Sequence, residues 1–186
     1  QDVFCPYYRD HGTIWKRGAT WEQLLLFWAG CEQGNLYCNQ YNLPAAIPIA
    51  SQCAHGVGAA LAAKYKRTNQ VAFVTLGDGA TSKGDFYESI NFAGSHKLPI
   101  VFVINNNQWA ISMPRKTQTI THTLAQKAAA AGIGAIQCDG TDVLAVIQTA
   151  KEARKSALNG LPVLVEAISY RLSDHTTCDD ASCYRD

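Results

Sequence analysis

Apolar residues gather into short uninterrupted runs along this chain. Val71–Leu76 (VAFVTL), Ile100–Ile104 (IVFVI) and Pro162–Ser169 (PVLVEAIS) are too short for buried helices and rich in β-branched residues, so they read as strands buried on both faces. A further short strand is expected over Ala135–Cys138. Between the strands the apolar spacing changes to a helical period. Trp21–Gly30 is expected to be helical, with Thr20 and Gln23 positioned as a capping box. Ser51–Lys66 is dense in alanine and other small residues and predicts a closely packed helix. Asp85–His96, His122–Ala131 and Asp142–Leu158 complete the helical set, the second ending near Ala131 and the last capped by Asp142 and stopped near Gly160. Asn35–Pro48 has no period, holds two prolines and is expected to be loop. Strands alternating with helices predict an α/β fold, a parallel sheet with helices on both faces, in one domain spanning 1–186.

Two of these strands end in polar words. The first runs into Gly77-Asp78-Gly79 and the second into Asn105-Asn106-Asn107. In a parallel sheet, strand ends of this kind meet at one edge, and that edge is where ligands bind. A carboxylate and a carboxamide oxygen are hard donors suited to Mg²⁺ or Ca²⁺. Glycines beside Asp78 would let backbone N–H groups approach an anion such as a diphosphate. Taken alone, the same residues could be ordinary turn residues after core strands.

Charge and composition exclude several classes. The net charge is +1, with 17% charged residues, so nothing electrostatic argues for nucleic acid or a membrane surface. No apolar run approaches the length that crosses a bilayer. Seven cysteines, an odd number without CxxC spacing, read as reduced thiols rather than a disulfide framework or metal cluster. A nucleotide-binding module on a doubly wound sheet would want G-x-G-x-x-G, which Gly77-Asp78-Gly79 does not complete, and no Walker A sequence is present.

The words between and around the two strand ends are more specific. Gly77-Asp78-Gly79-Ala80-Thr81-Ser82 leads into Gly84-Asp85-Phe86-Tyr87-Glu88 and Asn91-Phe92-Ala93-Gly94, and the stretch closes on Asn106-Asn107-Gln108-Trp109-Ala110-Ile111-Ser112. This resembles the thiamine diphosphate motif of the 2-oxoacid dehydrogenases. Within them it most resembles α subunits of the heterotetrameric pyruvate dehydrogenase decarboxylases, from Tyr8-Arg9-Asp10 to Tyr184-Arg185.

The resemblance implies a set of roles. Asp78, Asn107 and the backbone carbonyl of Trp109 would hold Mg²⁺, and Asn106 would support the turn. Gly79 and Ala80 would lie along the thiamine diphosphate, with Tyr8 and Arg9 clamping its diphosphate. Ile49 would wedge the cofactor into a V shape, and the backbone of Ile47 and Ile49 would meet its pyrimidine. Here the chain has Ala50-Ser51-Gln52 where the family has Gly-Ala-Gln or Gly-Thr-Gln. His175, on a loop after the last strand, would contact the diphosphate or intermediate and assist acyl transfer, with Arg171 anchoring that loop. His55, His96 and His122 read as structural.

The resemblance also implies partners. The glutamate that activates the cofactor would come from a β subunit, and the two-carbon unit of pyruvate would pass to the lipoyl domain of an acyltransferase. Branched-chain 2-oxoacid decarboxylases share nearly the same motifs and remain the alternative. The family's α subunit is longer at both ends, so a fragment is expected. Bacterial cytoplasm is the expected location, or mitochondrial matrix for a eukaryotic source.

Overall fold

The computed structural model describes residues 1–185 and bears out the α/β reading. In chain order the elements are β1 (Val3–Cys5), α1 (His11–Lys16), α2 (Trp21–Trp28), α3 (Ser51–Tyr65), β2 (Ala72–Gly77), α4 (Gly84–Ser95), β3 (Ile100–Asn106), β4 (Trp109–Ala110), β5 (Met113–Pro114), α5 (Arg115–Gln118), α6 (Lys127–Ala131), β6 (Gly134–Asp139), α7 (Val143–Leu158) and β7 (Val163–Ile168). Five strands form one sheet in the order β1-β2-β3-β7-β6, and all its pairings are parallel. The short β4–β5 pair is a separate antiparallel hairpin.

Alternate side chains of each strand enter different cores. Ala72, Val74, Leu76, Ile100, Phe102 and Ile104 pack with α3, α4 and α6 on one face. Val101, Val163 and Val165 pack with Ala153 and Ala157 of α7 on the other. Phe4 and Phe73 carry that second face on to Ile14 and Leu24 of α1 and α2. Burial on both faces is why the central strands read as continuous apolar runs.

Small residues set how closely the layers approach. A Cβ at Gly56 of α3 would fall 2.1 Å from Val74 Cγ2, and one at Gly94 of α4 would fall 2.1 Å from the carbonyl oxygen of Ala131. The Thr20 capping box forms as expected, with both hydrogen bonds present. Asp142 caps α7 through Leu144 and Ala145 N–H.

One predicted helix is shorter than its pattern. His122–Ala131 is helical only from Lys127. Upstream, Thr123 and Gln126 exchange side-chain and backbone hydrogen bonds, and the Ala125 N–H donates to Glu166 Oε2 at 2.9 Å. The Thr123–Gln126 pair is a capping box that starts the turn at Thr123, and that first turn closes by i→i+3 bonds from the Lys127 and Ala128 N–H groups, so the α-helix begins only at Lys127. His122 therefore lies outside any helix, while His55 is in α3 and His96 follows α4 with its ring stacked on Phe92.

Gly94→Ala is expected to destabilise the protein by roughly 1–3 kcal/mol, because the backbone of Ala131 cannot move aside as a side chain would. Gly58→Ala, in a helix with nothing within 4 Å of the added carbon, is expected to be neutral or slightly stabilising. Thermal unfolding of the two variants side by side checks both.

Candidate functional site

The strand ends meet as the pattern predicts. Gly77 of β2 pairs in register with Asn105 of β3, so the turns carrying Asp78 and Asn107 leave the sheet side by side. Between them and the β1–α1 turn lies a cavity of about 210 Å³. Tyr8, Arg9 and Ile49 line one side of it. Asp78, Gly79, Ala80 and Asn107 line another, and Trp109 and His175 complete the wall. Ile47 is the one candidate outside the lining. Its neighbour Ala46 bridges to Tyr7 and faces the cavity, and Ile47 is half-exposed beyond it.

Asp78 opens a 3₁₀ turn over Asp78–Ser82 and is only 3% exposed. Burial pushes its carboxyl above the usual carboxylate range, opposed by its own backbone N–H and by the Gln118 amide at 3.4 Å. The Arg171 and Arg115 charges oppose it as well, yet burial prevails, and a carboxylate desolvated in this way attracts a cation. The turn is braced from behind. Thr81 Oγ1 donates to the Asp78 carbonyl at 2.7 Å, and the buried Lys127 Nζ donates to the Thr81 carbonyl and hydroxyl at 2.8 and 2.9 Å. Gly79 is required sterically, since a Cβ there would sit 2.6 Å from Ala110 Cβ. Gly77 has open space around it and an ordinary negative φ, so only one of the two flanking glycines is demanded by packing.

The three asparagines divide the work. Asn105 donates to the Tyr7 hydroxyl at 3.0 Å and accepts from Ser169. Asn106 is buried, donates to Glu166 Oε1 at 2.7 Å and accepts from the Gln108 N–H, so it supports the turn as the resemblance implies. Asn107 lines the cavity, and its Oδ1 accepts from the Trp109 N–H at 3.1 Å, leaving a second lone pair for a cation. Gln108 and Ile111 take positive φ values of 73° and 56°, which turn the β4–β5 hairpin over the cavity as its lip. At the opposite wall Ala50, where the family has glycine, has φ 66°.

His175 reaches the cavity on a heavily tied loop. Arg9 Nη2 donates to His175 Nδ1 at 3.0 Å and to its carbonyl at 2.6 Å. Arg171, buried, donates to the Ser173 and Ile111 carbonyls and the Tyr184 hydroxyl. Because guanidinium only donates, Nδ1 is the lone-pair nitrogen, and in the neutral ring the proton is on Nε2. Burial lowers the His175 pKa below its ordinary value, and Arg9 and Arg171 lower it further, with Asp179 opposing.

The donor set fits a hard cation held together with an anionic ligand. No group of three or more His, Cys, Asp or Glu side chains gathers as a metal centre among the described residues. Asp78, Asn107 and a main-chain carbonyl supply oxygen donors, and ligand oxygens would have to complete the shell. Arg9 brings a planar fork suited to phosphate oxygens. Sequence reasoning missed Tyr7, Asp10, Gln118, Ile111 and Lys127. Asp10 and Ile111 fall inside the quoted words without a role there, and each of the five matters through a hydrogen bond or a backbone turn that only the fold creates.

A parallel sheet whose carboxyl edge carries a buried aspartate, an asparagine turn and an arginine fork defines a class, and comparison supplies the family. Residues 1–186 match the family described as dehydrogenase E1 component, and the chain belongs to that family. Among known proteins it is similar to the pyruvate dehydrogenase E1 component subunit alpha of Acholeplasma laidlawii, 46% identical over 188 residues, covering 100% of this chain and 54% of that protein. The same-named subunit of Staphylococcus aureus strain Mu50 is also 46% identical, with 100% and 51% covered. That of Mycoplasma genitalium is 42% identical, with 99% and 52% covered. The chain spans about half the length of the curated relatives it matches.

His175 is expected to titrate below pH 6.5 when followed by NMR. Arg9→Met is expected to raise its midpoint, because one of the two repelling cations is removed.

Proposed function

We propose that this chain is the diphosphate-binding portion of the α subunit of a thiamine diphosphate- and Mg²⁺-dependent 2-oxoacid decarboxylase, with pyruvate as substrate. The observation that carries this is the convergence of Tyr8, Arg9, Asp78, Asn107, Trp109 and His175 on one cavity. The names of the relatives support pyruvate.

In this reading Asp78, Asn107 and the Trp109 carbonyl hold the cation. Arg9 and Tyr8 neutralise and orient the diphosphate, and Gly79 and Ala80 let the backbone lie against it. Ile49, which lines the cavity, would pack against the cofactor's rings. Thiamine diphosphate would supply the nucleophilic carbon that takes the 2-oxoacid and carries the charge left when carbon dioxide departs. His175, neutral at pH 7, offers its Nε2–H to the reacting oxygen or the diphosphate and can move a proton during acyl transfer to a lipoyl group.

Five glutamates occur in the chain: Glu22, Glu32, Glu88, Glu152 and Glu166. None lines the cavity, and Glu166 is committed to Asn106, Ala125 and Gln137. A β subunit completing the site across an interface, within a heterotetramer, accounts for the missing activating carboxylate. We place the assembly in a bacterial cytoplasm, or the mitochondrial matrix for a eukaryotic source, and read residues 1–186 as one domain of a longer subunit.

Co-expression with a β subunit, Mg²⁺ and thiamine diphosphate is expected to give decarboxylation selective for pyruvate over 3-methyl-2-oxobutanoate. Asp78→Ala should abolish both cofactor binding, read by calorimetry, and turnover. Preference for the branched acid would move the protein to the branched-chain enzymes. A folded complex that binds no cofactor would overturn the reading. His175→Ala is expected to lower lipoyl acylation by about 10²-fold or more, well beyond any loss of cofactor affinity measured by calorimetry.

A further inference from the structure

The turn carrying Tyr8 and Arg9 needs something to hold it, because Arg9 is exposed and the turn protrudes from a strand of three residues. One side is accounted for. Tyr7 is buried, and its hydroxyl accepts from Asn105 at the end of β3. The other side is held by Asp10.

Asp10 sits at the N-cap of α1, where a carboxylate would ordinarily accept from the helix's first amides. It makes no such bond. Its Oδ2 turns back instead, accepting from the Tyr7 N–H at 3.0 Å and from the hydroxyl of Thr75. Thr75 lies on β2, three residues before Asp78, and its carbonyl accepts from Gln52 Nε2 at 2.7 Å. Asp10 does not line the cavity, and no cation pairs with it among the described residues.

We propose that Asp10 is a positioning residue for the Tyr8–Arg9 pair, its carboxylate tying the phosphate-facing turn to the strand that delivers Asp78. The inference rests on the cofactor reading above. Oδ2 joins the two sides of the site through one oxygen, beside a longer direct bond from the Tyr7 N–H to Thr75 Oγ1 at 3.3 Å. The environment agrees with a tether kept for its geometry. Burial raises the Asp10 carboxyl to about 6, with the Thr75 hydroxyl and Tyr7 N–H opposing. The Tyr7 phenol beside it is raised by burial and by Asp10.

The sign of the pH effect follows. A carboxyl that holds its proton more tightly in the folded state than in the unfolded one costs stability as pH rises from about 4 to about 6. Asp10→Asn keeps an acceptor oxygen for both donors and removes that titration. Asp10→Ala removes the acceptor.

The test compares wild type, Asp10→Ala, Asp10→Asn and Thr75→Val as full chains and with the β partner. Amide hydrogen exchange over residues 6–11 and the affinity for thiamine diphosphate with Mg²⁺ are read by mass spectrometry and calorimetry. Asp10→Ala and Thr75→Val should speed exchange at Tyr7–Asp10, and Asp10→Ala should weaken the cofactor by about tenfold. Asp10→Asn should restore both and flatten the stability slope between pH 4 and pH 6. Wild-type affinity in Asp10→Ala, or equal losses in Asp10→Ala and Asp10→Asn, would overturn the proposal. If the wild type binds no cofactor, the cofactor reading fails separately. The tether then stands or falls on whether exchange quickens in Asp10→Ala and recovers in Asp10→Asn.

Discussion

The parallel register of β2 on β3 is the constraint on which the site depends. Leu76 pairs with Ile104 and Gly77 with Asn105, and both strands then turn out of the sheet together. A slip of one residue would turn one strand's core set, Val74 and Leu76 or Phe102 and Ile104, to the wrong face and separate Asp78 from Asn107 in the same movement. The core and the site are therefore specified by one pairing. The neighbouring strand secures it. Glu166 of β7 is 1% exposed, and its two oxygens accept from Asn106, the Ala125 N–H and Gln137. Removing that carboxylate would leave two buried donors unpaired, the Ala125 N–H and the asparagine that shapes the β3 turn.

How much of this was legible depends on how local the cause is. The apolar runs of β2, β3 and β7 announce themselves because both faces are buried. The Thr20 and Asp142 caps are legible because a cap is made by residues a few positions apart. Asp78, Asn107 and Arg9 stand out through their words. β1 was not legible, since three residues carry too little pattern to separate from loop, and its place at the sheet edge comes from pairing with β2 about seventy residues away. The β4–β5 hairpin was hidden for another reason. Its turns use Gln108 and Ile111 at positive φ, where sequence reasoning expects glycine or asparagine. The helix expected over His122–Ala131 begins late because its capping box sits at Thr123 and its first turn closes by i→i+3 bonds.

The site is asymmetric in charge. Its inner wall carries the buried Asp78 carboxylate, and its rim carries the exposed Arg9, with the buried Arg171 behind a neutral imidazole. Cation and anion are thus invited from opposite sides, and a ligand carrying both satisfies the two walls at once. The buried Lys127 takes no part in that separation at the surface. Its ammonium is held by the Thr81 carbonyl and hydroxyl and the face of Tyr87, 5.2 Å away, and works by stiffening the turn.

Ile111 links parts of the wall that the chain keeps far apart. A β-branched residue at φ 56° is held there against its own preference, and the carbonyl beside it accepts from Arg171 at 2.9 Å. The hairpin lip and the His175 loop are therefore coupled through one strained peptide. In evolutionary terms they form a single heritable unit. Lineages that exchange Ile111 for glycine, or shorten the hairpin, should carry matching changes at Arg171 or in the Asp179–Tyr184 stretch, and chimaeras joining one lineage's lip to another's loop should misplace the histidine even with every motif residue intact.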